Sequence, residues 1–356
     1  MDIYELLHIA QSKKASDLHL ICSIPPVLRI DGFLQPLAEY DALTTEDIYQ
    51  LFSQLTTPEG RNKFRETLEL DFAVDLPDGG RLRCNACQQR GSVSLSARLL
   101  PAEIPTLDKL GLPEICKDLI ERPRGLILLT GPTGSGKSTT MAAMLQHINA
   151  KERRYVVTVE DPIEYIYKSN KCFFSQRELS VDTQSFAMAL KHVLRQDPDV
   201  ILVGEMRDLD TAAAVLTVAE TGHLVLSTGH APSAAQSIER IVDLFPPHER
   251  EMTQARLASV LLGVLCQTLV PRINGGRIAA VEIMLANAPV RNLIREGKTH
   301  LLPNTIRTHG NAGMQMLDDA LVKLYQNGII NWAMVLAFCQ DTEETSKLVS
   351  SGPVLR

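Results

Sequence analysis

The chain has 356 residues, 45% of them hydrophobic and 22% charged. At the usual figure of about 150 residues per domain it fits two domains better than one, and its proportions exclude the disordered, collagen-like and disulfide-stapled classes. Thirty-six Lys and Arg against 42 Asp and Glu leave a net charge of −6, so no overall positive field exists to recruit nucleic acid or an anionic membrane. With aromatics at only 5% and no basic-aromatic stripe for base stacking, nucleic acid is not the expected partner. The longest strongly apolar stretch without a formal charge, Leu257 to Pro271, falls short of the ~18 to 20 residues that span a bilayer. No transmembrane segment is expected. The start, Met1 to Glu5, is acidic and lacks the basic region of a signal peptide, so a cytoplasmic protein is expected.

In chain order, residues 1–100 carry short segments punctuated by Pro and Gly. They are Leu18 to Ile21, Val27 to Ile30, a helical pattern from Thr45 to Leu55, and strand-like runs over Leu70 to Val74, Arg81 to Gln88 and Val93 to Leu99. Turns are predicted at Asp31-Gly32 and Asp78-Gly79-Gly80. This mixture predicts a small α+β domain over 1–100. Residues 101–113, with Pro101, Pro105 and Pro113 and no sustained period, read as a linker. Beyond it, apolar runs suited to buried parallel strands alternate with helical stretches: Gly125 to Thr130, Tyr155 to Val159, Val200 to Val203 and His223 to Ser227. That alternation predicts a βαβ sheet within a second domain, 114–356. From Pro247 onward the pattern reads as mainly helical. The seven cysteines are scattered and odd in number, which suits reduced thiols, several of them (Cys22, Cys116, Cys266) in apolar surroundings. Cys84 and Cys87 have the spacing of half a zinc site, but no second pair follows and the flanking alternation reads as a strand.

Gly131-Pro132-Thr133-Gly134-Ser135-Gly136-Lys137-Ser138-Thr139 follows an apolar strand and opens a helix near Lys137. In that context the spacing G-x-x-x-x-G-K-[ST] is a phosphate-binding loop. Glycines let consecutive N–H groups point into one concavity, and the helix N-terminus adds partial positive charge. Lys137 can reach the β- and γ-phosphates as a point charge, and the Ser138 hydroxyl is placed to ligate Mg²⁺. A dinucleotide fingerprint is excluded because no third glycine follows Gly134 and Gly136 at the required offset.

Hydrolysis also needs a group that orients water and a metal that absorbs charge. The strand Val200 to Val203 ends at Gly204 and delivers Glu205 to its carboxyl end, where parallel sheets bind ligands. Upstream, Glu160, Asp161 and Glu164 cluster around Pro162 at another strand end. One of these three acids is expected to hold Mg²⁺ or its waters, and spacing does not choose among them. His223 and His230 bracket the next strand. His230 reads either as a γ-phosphate sensor or as a strand-end turn residue.

These four blocks resemble those of the type II/IV secretion ATPases, and within them the PilT-type motors that retract type IV pili. The blocks are the loop at 131–139, the acidic box Glu160 to Glu164, the segment Val200 to Asp208, and the box His223 to His230. The match extends over nearly the whole chain, to Ala15 to Leu20 and Arg29 to Gly32 near the start, and to Val290 to His300 near the end. Gly229 stands where the family usually has leucine, and Lys191 where arginine is common. The resemblance implies a PAS-like N-terminal domain followed by a RecA-like ATPase domain with a helical C-terminal part. It assigns the catalytic glutamate to Glu205, the key acidic-box residue to Glu164, and the box histidine to His230. It assigns phosphate-closing arginines to Arg83, Arg98 and Arg195. A planar guanidinium brought to the γ-phosphate by a second domain makes closure depend on that phosphate, which is how hydrolysis becomes motion.

The resulting expectation is an ATP- and Mg²⁺-dependent homohexamer, cytoplasmic and peripheral at the inner membrane, acting on an inner-membrane pilus platform protein and disassembling pili. Competing readings are an assembly or secretion motor of the same superfamily and a weakly active regulatory subunit that partners a paralogous ATPase.

Overall fold

The computed structural model describes residues 1–30, 32–76, 80–100 and 103–351. The turn residues Asp31, Asp78 and Gly79, and Pro101 of the expected linker, lie outside the described residues. The chain divides into two compact units, Met1–Glu103 with Glu164–Ile166, and Ile104–Ile163 with Tyr167–Arg356.

The first unit opens on α1 (Ile3–Ser12), capped by the Asp2 side chain accepting from the Tyr4 N–H. Its buried residues Ile3, Leu6, Leu7 and Ala10 follow the i, i+3, i+4, i+7 spacing of one helix face. The strands are β1 (Asp17–Leu20), β2 (Val27–Ile30), β3 (Phe33–Pro36), β4 (Glu69–Asp75), β5 (Arg81–Gln89) and β6 (Ser92–Leu100). They form one antiparallel sheet in the order β3-β2-β1-β6-β5-β4. Between β3 and β4 lie α2 (Thr45–Leu55), closed by a Thr44–Asp47 capping box, and α3 (Pro58–Thr67). Phe52 of α2 is fully buried, with ring centroids 5.0 Å from Phe64 and 6.1 Å from Phe72. Along β5 the alternation buries Leu82, Cys84 and Ala86 and exposes Arg83. Cys84 is therefore a core thiol, and burial pushes it up to about 12. All seven cysteines are free, and no metal-holding cluster of His, Cys, Asp and Glu occurs among the described residues.

The second unit begins with the short helices α4 (Leu107–Leu110) and α5 (Ile115–Ile120). Its sheet comprises β7 (Gly125–Thr130), β8 (Tyr155–Glu160), β9 (Phe173–Glu178), β10 (Val200–Val203), β11 (Leu224–Thr228), β12 (Leu261–Pro271) and β13 (Arg277–Leu285). The order is β13-β12-β7-β11-β10-β8-β9, parallel except for the β12–β13 pair. Helices α6 (Lys137–Lys151), α7 (Phe186–Val193), α8 (Leu209–Glu220) and α9 (Ala234–Asp243) connect the strands, and α10 (Arg250–Val260) runs straight into β12. Every residue of β7, β10 and β11 is buried, as strands covered on both faces require. The apolar runs expected as parallel strands at 125–130, 155–159, 200–203 and 223–227 are β7, β8, β10 and β11.

The expectation of a mainly helical segment from Pro247 holds for α10, α11 (Ala288–Arg295), α12 (Leu302–Thr308), α13 (Leu317–Gln326), α14 (Trp332–Phe338) and α15 (Thr342–Ser351). It fails for residues 261–285, which are the β12–β13 hairpin. A continuous apolar run reports burial and not period, so it suits a buried strand as well as a buried helix. The discriminating signal was the turn Asn274-Gly275-Gly276 that follows it. The far end of the hairpin packs its Val270, Ile278 and Ala280 against Leu317, Leu321 and Val335 of the terminal helices.

Candidate functional site

Strand order brings four separate pieces of sequence to one edge. β7, β11, β10 and β8 are consecutive parallel neighbours, so their carboxyl ends lie side by side at steps of about 4.8 Å. They deliver the 131–139 loop, His230, Glu205 and Glu160, in that order.

The loop is shaped by its glycines. Gly131 has φ +132°, and a Cβ there would fall 2.2 Å from the main-chain oxygen of Gln267 and 3.0 Å from Ser135 Oγ. Gly136 has φ +86° and occupies the cap position of α6 without any side-chain cap, so the first N–H groups of α6 remain open to an anion. Lys137 is buried and folded over the loop, donating from Nζ to the carbonyls of Gly131 and Pro132 at 2.8 and 3.0 Å. Ser135 Oγ is buried and finds no hydrogen-bond partner among the described residues. Pro132, Thr133 and Gly134 are exposed at the rim, and Ser138 and Thr139 are half-buried in the first turn of α6. A concavity of main chain with an orphaned hydroxyl and a sequestered lysine fits a phosphate chain.

Glu205 and His230 meet. Val203 pairs with Ser227 across β10 and β11, so residues two or three steps further on share the same stretch of edge. His230 Nε2 lies 3.4 Å from Glu205 Oε2, and Arg207 Nε donates to Glu205 Oε1 at 2.6 Å. The Glu205 side chain is 14% exposed while that of Arg207 is 69% exposed. Thr228 Oγ1 bonds the Gly204 carbonyl, tying the two strand ends together, and Arg240 Nη1 donates to the His230 carbonyl at 3.2 Å. His230 thus follows the end of β11 with its ring against the Glu205 carboxylate. Behind this pair a cavity of about 430 Å³ runs under Thr130, Thr228 and Gly229 to Ile241 and Leu244. Its lining is mostly apolar and includes none of residues 131–139, so it is not the anion cradle.

Glu160 ends β8 and accepts from Thr158 Oγ1 at 2.6 Å and from Gln176 Nε2 at 3.4 Å. Asp161 is exposed. Glu164 is half-buried and groups with the first unit, as do Arg83 and Arg98. Arg83 and Arg98 are direct cross-strand partners on β5 and β6, two like charges set opposite one another on an exposed face, with the Asp17 carboxylate on the other side of Arg98 offsetting part of their repulsion. Arg98 Nε donates to Asp17 Oδ1 at 2.9 Å. Burial works to raise the Asp17 carboxyl, but hydrogen bonds from Ser16 and Arg98 outweigh it and hold it below the usual carboxylate range. Arg195 is exposed beyond the end of α7.

Sequence reasoning missed the groups that hold these loops from behind. Gln267 of β12, 2% exposed, donates from Nε2 to the Ser135 carbonyl at 2.6 Å and accepts from Thr140 Oγ1 at 2.8 Å. On the opposite face of the hairpin, Cys266 and Glu282 are cross-strand partners. Cys266 Sγ donates to the Ala231 carbonyl at 3.4 Å, and Glu282 Oε1 accepts from the Ala234 N–H at 2.6 Å. Burial pushes the Cys266 thiol up to about 12 and raises the Glu282 carboxyl. Arg207 was visible two residues after Glu205. Gln267 and Glu282 carried no local signal, because their partners lie more than forty residues away in the chain.

Mg²⁺ takes oxygen ligands and keeps several waters, so it is bound by one or two protein groups plus phosphate, not by a dedicated protein cage. The oxygen donors Ser138, in the first turn of α6, and Glu160, at the end of β8, suit that chemistry.

Residues 6–326 match the family described as type II/IV secretion system protein. The chain is 45% identical over 331 residues to the type IV pilus retractation ATPase PilT of Pseudomonas aeruginosa, covering 93% of this chain and 96% of that protein. It is 44% identical over 314 residues to the uncharacterized protein YggR of Escherichia coli, covering 88% of this chain and 95% of that protein. The fold is similar to a crystal structure of the pilus retraction motor PilT with bound ADP, at a TM-score of 0.90 and 43% identity, covering 98% of this chain and 99% of that one.

Proposed function

The chain belongs to the type II/IV secretion system protein family, and from that premise and the chemistry of its sheet edge we propose that it is an ATPase whose hydrolysis powers type IV pilus retraction. One observation carries the chemistry: Glu205, braced by Arg207 and within 3.4 Å of His230, stands on the strand ends beside the anion cradle at 131–139.

The N–H groups of residues 131–139 and the start of α6 hold the phosphates, and Lys137 exchanges its two carbonyl partners for phosphate oxygens. Glu205 orients the attacking water. His230, in contact with that carboxylate, senses the γ-phosphate. Ser138 would hold Mg²⁺, with Glu160, Asp161 and Glu164 as the acids that hold its waters, and the chemistry supplied by bound Mg²⁺ is neutralisation of charge on the β- and γ-phosphate oxygens. Arg83, Arg98 and Arg195 add positive charge to the transferred phosphoryl group. The exposed guanidinium groups at 83 and 98, set opposite one another on β5 and β6, support this reading as a pair of donors for one anion. The working assembly is a homohexamer at the inner membrane face acting on a pilus platform protein. Among the described residues no helix is long and apolar enough to cross a membrane.

The test is steady-state ATPase activity and nucleotide binding of wild type and Glu205→Gln, with gel filtration for the assembly. Turnover should fall at least about a hundredfold in the variant, the usual worth of a positioned general base, with ATP still bound. Unchanged hydrolysis would remove the assignment. Deletion of the gene should leave excess, non-retracting pili. Tight ATP binding with negligible wild-type turnover would replace the motor with a regulatory subunit.

A further inference from the structure

Three points of the phosphate loop and its helix converge on one residue of a distant strand. Gln267 donates to the Ser135 carbonyl, accepts from the Thr140 hydroxyl, and sets its own main-chain oxygen 2.2 Å from where a Cβ on Gly131 would stand. Gln267 is buried, so neither bond is exchanged for water at little cost. The carbonyl and the following N–H of a trans peptide point in opposite directions. Holding the Ser135 carbonyl against β12 therefore turns the Gly136 N–H away from β12. The Thr140 contact fixes the first turn of α6 to the same side chain, so loop and helix N-terminus keep one relative orientation.

We propose that Gln267 is a positioning residue for nucleotide binding. It holds the phosphate loop in its anion-accepting form before the ligand arrives, so that binding does not have to order the loop. The proposal rests on the reading of residues 131–139 as the nucleotide site. Its location separates it from the hydrolytic pair: the Gln267 side chain bonds Ser135 and Thr140, whereas the segment from His230 is held by Cys266 and Glu282 on the opposite face of the hairpin.

The experiment uses the full chain and compares wild type, Gln267→Leu, Gln267→Glu and Thr140→Val in fluorescent ADP titration, ATPase kinetics and thermal melting. In Gln267→Leu the Kd and KM should rise about tenfold, the scale of one or two buried hydrogen bonds, with kcat within about threefold of wild type. Thr140→Val, which removes only one of the two bonds, should give about a two- to threefold rise and serves if Gln267→Leu does not fold. Gln267→Glu cannot donate to Ser135 while ionised, so its affinity relative to wild type should recover as pH falls from about 8 to about 5.5 and the buried carboxyl takes up a proton. A purely structural role would lower melting temperature without that pH-dependent rescue or the KM–kcat split. Wild-type affinity in Gln267→Leu, or a fall in kcat at unchanged KM, overturns the proposal while leaving the nucleotide site intact. A wild type that binds no nucleotide removes both readings.

Discussion

The 131–139 loop offers an anion consecutive main-chain N–H groups, whereas Glu205 and His230 reach the same sheet edge as side chains from two different strands. The first arrangement depends on backbone conformation and tolerates no added Cβ at Gly131. The second depends on the parallel register of β10 and β11, which sets Val203 opposite Ser227. Binding and turnover are therefore built from separable parts, and substitutions should divide along that line.

The largest effect is expected for Gly131→Ala. Its positive φ and the 2.2 Å approach to the Gln267 oxygen leave no space, so the loop must distort at a cost of at least about 2 kcal/mol. Melting temperature should fall and ADP titration should show no saturable binding. Lys137→Ala comes next: loss of a charge-assisted contact should weaken nucleotide binding roughly 10- to 100-fold, with gel filtration unchanged. His230→Gln attacks the other half of the comparison. It should reduce kcat about tenfold with Kd within twofold, the scale of one lost charge-assisted contact; a matching loss of affinity would merge the two parts into one.

The smallest effect concerns the brace behind His230. Burial raises the Glu282 carboxyl above its ordinary 4.5, opposed by N–H groups of Ala234 and Leu317. The folded state thus favours the neutral acid while the unfolded chain ionises from about 4.5 upward, so wild type loses stability as pH rises from that value through the folded pKa. Glu282→Gln lacks this slope and keeps an oxygen to accept from Ala234. Its melting temperature minus that of wild type should become more positive between pH 4.5 and neutrality. A pH-independent difference would show that Glu282 does not titrate in this range.

Local physics made much of this molecule legible. Thr45 to Leu55 is a helix as its period requires, and the apolar runs at 125–130 and 200–203 are buried strands with the expected ends. The strands β3 and β9 and the helix α3 went unread because each is short, weakly patterned or rich in polar residues; α1 went unread although its Asp2 cap and the spacing of Ile3, Leu6, Leu7 and Ala10 were present in the sequence. The hairpin at 261–285 was misread because burial on both faces erases the alternation that marks a strand.

The residues of the phosphate loop are contiguous, so the chain order of glycines, lysine and serine was enough to announce an anion cradle opening a helix. That Glu205 and His230 would meet, that Arg83 and Arg98 would stand opposite one another on β5 and β6, and that Gln267 would grip the loop from behind were decided only by strand order and register. Neighbours across a sheet are set by which strands pair, and no spacing along the chain encodes that choice.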